Sequence, residues 1–82
     1  MTMSVALYLF PKVEVLDFAG PYEVFTTASR VHGRRHPGAE LPFRVFTVAR
    51  SREPVRARAG LRALSDHALA DCPPIDLLLV PG

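Results

Sequence analysis

Ser4-Val-Ala-Leu-Tyr-Leu-Phe10, stopped by Pro11, is the stretch from which the fold is read. An apolar run this short, with branched and aromatic members, reads as a strand buried on both faces. A second run of the same kind, Ile75-Asp-Leu-Leu-Leu-Val80, is closed by Pro81-Gly82. Strands of this type belong in the middle of a parallel sheet. The two runs are therefore expected to be parallel neighbours at the sheet centre. Phe43-Arg-Val-Phe-Thr-Val-Ala49 has β-branched and aromatic content and is expected to pair beside the first. Period-two alternation puts Leu77 and Leu79 on one face, Leu78 and Val80 on the other.

The segments between these strands supply the connections. Pro11 to Val15 reads as a loop, and a helix follows it. Pro21 suits the first turn, where its missing N–H would be unpaired anyway. Glu23 in that turn meets the positive end of the macrodipole. Val24, Phe25, Ala28 and Val31 fall on one helical face, and Gly33 is a natural stop. Gly33 to Glu40 is a polar surface loop, and Arg50 to Pro54 is a turn. Val55 to Arg58 reads as a short strand or hairpin arm, with Gly60 at a bend. Ser65 is placed as the N-cap of a short helix, Asp66 to Ala70, which Pro73-Pro74 stops. The alternation predicts an α/β fold with a mostly parallel sheet. There is no internal repeat, low-complexity tract or linker. One substantial helix would leave one face of such a sheet bare. Residues 1–82 are thus expected to be the first part of a larger domain.

Composition agrees with a globular chain. Apolar residues make up 49% and charged residues 22% of the 82, which argues against disorder. A chain of this length hides only about 60% of its unfolded surface, so it is marginal by itself. Cys72 is the only cysteine, which excludes an internal disulfide and makes a reducing cytoplasm the expected compartment. No basic residue precedes the short apolar run, so neither a signal peptide nor a membrane partner is expected. Residues 30–62 carry nine arginines against Glu40 and Glu53, a net +7, and the remainder carries −5. The arginines lie in loops and strand edges without aromatic interleaving or a helical stripe. They read as a solvated surface rather than a nucleic-acid face.

Ligands of open α/β sheets sit outside the carboxyl ends of the strands. Asp17, between Leu16 and Phe18, follows the first such end. It has two readings: a helix cap, which residue type and position favour, or an acid held protonated in an apolar setting. Gly82 follows the last strand, where it is either an ordinary turn or a source of backbone N–H groups for an anion. Cys72 lies between an acidic helix end and two prolines, with no activating group, and is expected to be a partly buried structural thiol. His32, His36 and His67 show no metal-ligand spacing, and no glycine-rich phosphate loop is present. Neither a metal nor a cofactor is expected.

The stretch Val5-Ala-Leu-Tyr-Leu-Phe-Pro11, then Glu14-Val-Leu-Asp-Phe-Ala-Gly-Pro-Tyr-Glu-Val-Phe25, resembles the opening of the DJ-1/PfpI (ThiJ/PfpI) superfamily. Leu-Asp-x-x-Gly-Pro is its specific part. Phe46-Thr-Val-Ala49, Pro54-Val55, Gly60-Leu61 and Asp76-Leu-Leu-Leu-Val-Pro-Gly82 continue the resemblance along nearly the whole chain. It implies a flavodoxin-like three-layer α/β sandwich, related to class I glutamine amidotransferases, of which residues 1–82 are the N-terminal part. It also implies a cysteine nucleophile at a strand–helix elbow about thirty residues past the Pro-Gly turn, which Cys72 does not match. Asp17 matches the family's acid, and Gly82 the first glycine of the turn whose backbone amides serve the site. Aspartate in place of glutamate is similar to isonitrile hydratases and to the sensing domains of AraC-type regulators. The expected function is a cysteine-dependent small-molecule hydratase or hydrolase, inactive as residues 1–82 alone. The alternatives are a ligand-sensing domain, with nucleic acid bound only through a region outside this chain, and a stress-response or redox member. Homodimers are common in the superfamily.

Overall fold

The computed structural model describes residues 1–82. Strand β1 spans Met3–Leu9, helix α1 Val15–Arg35 and strand β2 Phe43–Ala49. Short strands β3 (Val55–Arg56) and β4 (Arg62–Ala63) form a hairpin, and β5 is His67–Ala68. A 3₁₀ turn at Leu69–Asp71 leads to β6, Leu77–Leu79. The main sheet has the order β5-β2-β1-β6, and every pair in it is parallel. The hairpin β3-β4 is antiparallel and stands apart. The α/β class and the parallel sheet are as expected.

Strand β1 is the buried centre: Val5, Ala6 and Leu7 have no exposed surface. Its register pairs Ala6 with Phe46 and Leu78, and Val5 with Val45 and Leu77. The face carrying Val5, Leu7 and Leu9 lies under α1, whose Phe25 meets Phe43 edge-on at 4.9 Å. On the opposite face Ala6, Phe46 and Val48 pack with Tyr8, Cys72 and Ile75. The connection from the 3₁₀ turn to β6 is all that covers that face. Leu77 and Leu79 are half-buried while Leu78 and Val80 are exposed, as the alternation predicts. Here β6 is an edge strand, however, not a central one. The neighbourhood of β1 and β6 was read correctly and the centrality of β6 was not.

Three side chains continue the ladders where strands are too short. The Ser29 hydroxyl donates to the Phe43 carbonyl (2.9 Å) and accepts the Phe43 N–H (3.1 Å). The Asp66 carboxylate accepts the Thr47 N–H (2.9 Å) on the β5 side of β2. On the other side of β1, the Asp76 carboxylate accepts the Ser4 N–H (2.7 Å), while the Asp76 N–H donates to the Ser4 carbonyl (2.9 Å). A backbone group left unpaired in these positions would cost the sheet stability.

The helix departs from expectation at both ends. It starts at Val15 with Glu14 as N-cap, so Pro21 lies inside it rather than in its first turn. It runs through Gly33 to Arg35. Its inward face is Phe18, Tyr22, Phe25 and Ser29; Val24 and Ala28 point to solvent. The expected helix Asp66–Ala70 is instead β5 followed by the 3₁₀ turn, because His67–Ala68 completes the free edge of β2. Ser65 caps nothing; its hydroxyl donates to the His67 carbonyl (3.0 Å). No helix is long and apolar enough to cross a membrane.

Candidate functional site

The strand order defines where a site is to be sought. From β1 the chain moves through α1 to β2 and outward to β5. It then crosses back over β1 to β6. The direction of winding therefore reverses between β1 and β6, and the crevice outside the carboxyl ends of these two strands is the topological switch point. Two segments leave the sheet there: Phe10 to Asp17 after β1, and Val80-Pro81-Gly82 after β6.

The segment after β1 is held by the hairpin. Lys12 donates its N–H to the Arg56 carbonyl (2.8 Å), and Arg58 donates its N–H to the Val13 carbonyl (3.0 Å). The Arg58 guanidinium also donates to the Glu14 carboxylate (2.5 Å). That hydrogen bond and the adjacent negative charge push the Arg58 pKa further above its ordinary value. Lys12 takes a left-handed φ of 70°, which turns the chain sharply enough to bury Val13. Val13 packs with Leu9, Ala49, Val55 and Ala57 in a small core beneath the hairpin. A loop fixed at three points sets the start of α1. Sequence reasoning found the loop and the hairpin but not their union. The signal was the pair of buried-type residues, Val13 and Val55, in otherwise polar segments.

Asp17 stands in the first turn of α1, with its N–H on the Glu14 carbonyl (3.1 Å). It is not the N-cap, which removes the capping role. Nor is its setting apolar: Asp17 is exposed, and neighbouring Leu16 is 77% exposed. Its carboxylate has no hydrogen-bond or ion-pair partner among residues 1–82. Gly82 is exposed at the same edge of the sheet, and a Cβ built on it would meet no atom within 4 Å. The structure thus brings Asp17 and Gly82 to one edge without joining them. Both are exposed.

Cys72 is partly buried on the opposite sheet face, where its thiol donates to the Leu69 carbonyl (3.6 Å). It is remote in the topology from the carboxyl ends, and its packing is that of a structural residue. A cleft of about 300 Å³ between Phe18, Tyr22, Thr47, Leu64 and Asp66 lies on the β2–β5 side of α1, away from the switch point.

No family model matches the chain. It is similar to the isonitrile hydratase of Pseudomonas putida, with 32% identity through the whole chain, which spans 31% of that protein's length. Among solved structures it resembles a ThiJ/PfpI family protein from Pseudomonas syringae, with a TM-score of 0.76 and 24% identity over the whole chain and 29% of the other. An AraC family transcriptional regulator from Pseudomonas putida matches with a TM-score of 0.70 and 20% identity, over 98% of this chain and 46% of the regulator. A DJ-1 superfamily protein from Agrobacterium tumefaciens matches at 0.53 and 17%, over 98% of this chain and 37% of its own.

Proposed function

Because the chain belongs to the DJ-1/PfpI superfamily, we propose that residues 1–82 are the N-terminal part of one such domain, and that the whole domain is a small-molecule hydratase or hydrolase-like protein of the isonitrile hydratase type. The observation that carries this reading is the 32% identity with an isonitrile hydratase, sustained through all of the chain. The position of Asp17 supports it. A carboxylate with no internal partner sits in the first turn of α1, just after the loop pinned by the hairpin, at the reversal of the sheet.

The chemistry divides between this chain and a cysteine outside it. The cysteine thiolate attacks the terminal carbon of the isonitrile, forming a carbon–sulfur bond. A proton delivered to that carbon completes a thioimidate. Water then adds to the same carbon, losing one proton to a base while the imine nitrogen gains one. The carbon–sulfur bond breaks, and an N-substituted formamide leaves with the thiol restored. Asp17 is the group we assign to the proton steps, giving a proton in the first and accepting one from water in the second. General acid–base catalysis of this kind contributes about 10²–10⁴ in rate. The backbone N–H at Gly82 is assigned to the stabilisation of developing negative charge.

The test is an assay of the full-length protein with an aryl isonitrile, following formamide by chromatography. Turnover is expected. Asp17→Asn should lower it by about 10²-fold or more, with unchanged melting because the carboxylate holds nothing in place. Absence of formamide from the wild type, or full activity in the variant, rejects the reading. The fit to the AraC family regulator over 98% of the chain favours one alternative, a ligand-sensing domain. Binding of a small molecule without turnover, with altered DNA retention by the full-length protein, would establish it.

A further inference from the structure

A cleft of about 420 Å³ opens on the β1–β2 side of the same sheet edge. Leu9 and Pro11, at the carboxyl end of β1, line it, and no residue of α1 or β6 does, so it adjoins the switch point on the β2 side of β1. Tyr8 and Val55 contribute to an apolar wall, and Arg50, Ser51, Glu53 and Arg56 supply the polar groups. The three ion pairs of the structure are Met1–Glu40, Arg52–Asp71 and Arg58–Glu14. Arg50 and Arg56 take part in none of them, and neither guanidinium has a hydrogen-bond acceptor in the protein. The Ser51 hydroxyl accepts the Glu53 N–H (3.3 Å), which leaves its own proton free to donate.

We infer that this cleft binds a small organic monocarboxylate with an apolar body. Two guanidinium groups offer planar forks that match a carboxylate, and the free Ser51 proton adds a third kind of donor. Glu53 lowers the charge of the lining to +1. A monoanion neutralises that charge, whereas a phosphate dianion would leave an excess of negative charge beside Glu53. The apolar wall favours a ligand with a hydrocarbon part over a strongly hydrated ion. The volume is in the range of small-molecule sites.

Side-chain Nε–H resonances of arginine in the intact protein provide the test, with sodium benzoate and inorganic phosphate as probes at about pH 8, where phosphate is mostly the dianion. Benzoate should shift the Arg50 and Arg56 signals saturably, with half-saturation near or below about 1 mM. Arg50→Gln and Arg56→Gln should each weaken this about tenfold or more, and Arg34→Gln, outside the cleft, should not. Phosphate should bind more weakly than benzoate, and Glu53→Gln should narrow the difference. Shifts that rise linearly without saturation overturn the inference. So does unchanged binding in the double variant, or phosphate binding as tightly as benzoate.

Discussion

Ser29 is the only residue of α1 that is buried, and it is polar. Its hydroxyl serves both backbone groups of Phe43, at the end of β2 that β5 does not reach. Ser29→Ala would remove the side-chain partner of two part-buried backbone groups. The expected loss is about 1–3 kcal/mol, read from urea unfolding of the protein. A loss below about 0.5 kcal/mol would mean that water replaces the hydroxyl without penalty. Nothing in the sequence marks this serine, because its value lies in where Phe43 ends up beside it. Asp17 shows the opposite case. Leu-Asp-x-x-Gly-Pro singles it out in the sequence, but its surroundings were not legible there. Flanking Leu16 and Phe18 suggested an apolar niche, and helix geometry sends Phe18 inward and Leu16 outward. Pro21 adds a local consequence: lacking an N–H, it cannot supply the helical donor to the Asp17 carbonyl four residues earlier.

Element boundaries depended on which local rule prevailed. Pro21 and Gly33 both read as helix punctuation, yet α1 runs through them from Val15 to Arg35. Packing against β1 and β2 outweighs the propensity cost, which reaches about 3 kcal/mol for an interior proline. The error at Asp66–Ala70 has the same origin. Ser65 looked like a cap, but an unpaired strand edge offered His67–Ala68 backbone partners that a one-turn helix could not match. The strands were better predicted, because their apolar runs were continuous and their register follows from period two. Gly20 allows a clean test at this scale. It sits inside α1, and a Cβ there would meet nothing within 4 Å. Gly20→Ala should therefore stabilise the chain by about 0.5–1 kcal/mol, seen as a higher melting temperature. If the full-length protein instead melts lower, Gly20 is a site of close approach for residues beyond these 82.

The molecule as a whole is a slab. Its extents are 40 × 25 × 17 Å and its radius of gyration is 13.5 Å, against about 12 Å for a compact domain of this length. Helix α1 covers one face of the sheet, and the opposite face has only the short crossover. Leu78 is 46% and Val80 62% exposed on or beside the edge strand. Exposed apolar edges pair with other chains. Residues 1–82 by themselves should thus self-associate with rising concentration, measurable by sedimentation velocity. Leu78→Lys with Val80→Lys should reduce that association; an unchanged profile would locate the contact elsewhere. The need for cover on both faces was legible in Leu77 to Val80, since a run so apolar has no solvated side. That β6 would be left at an edge was not, because strand order depends on crossovers that no local pattern records. The bond from Ser4 to Asp76 carries a consequence for the birth of the protein. It links residues separated by 72 positions. At about 5–20 residues per second, β1 waits roughly 4–15 s on the ribosome before its second neighbour has been synthesised. During that interval the most buried strand of the chain has an open flank. The speed of translation across residues 10–76 therefore sets how long that flank stays vulnerable.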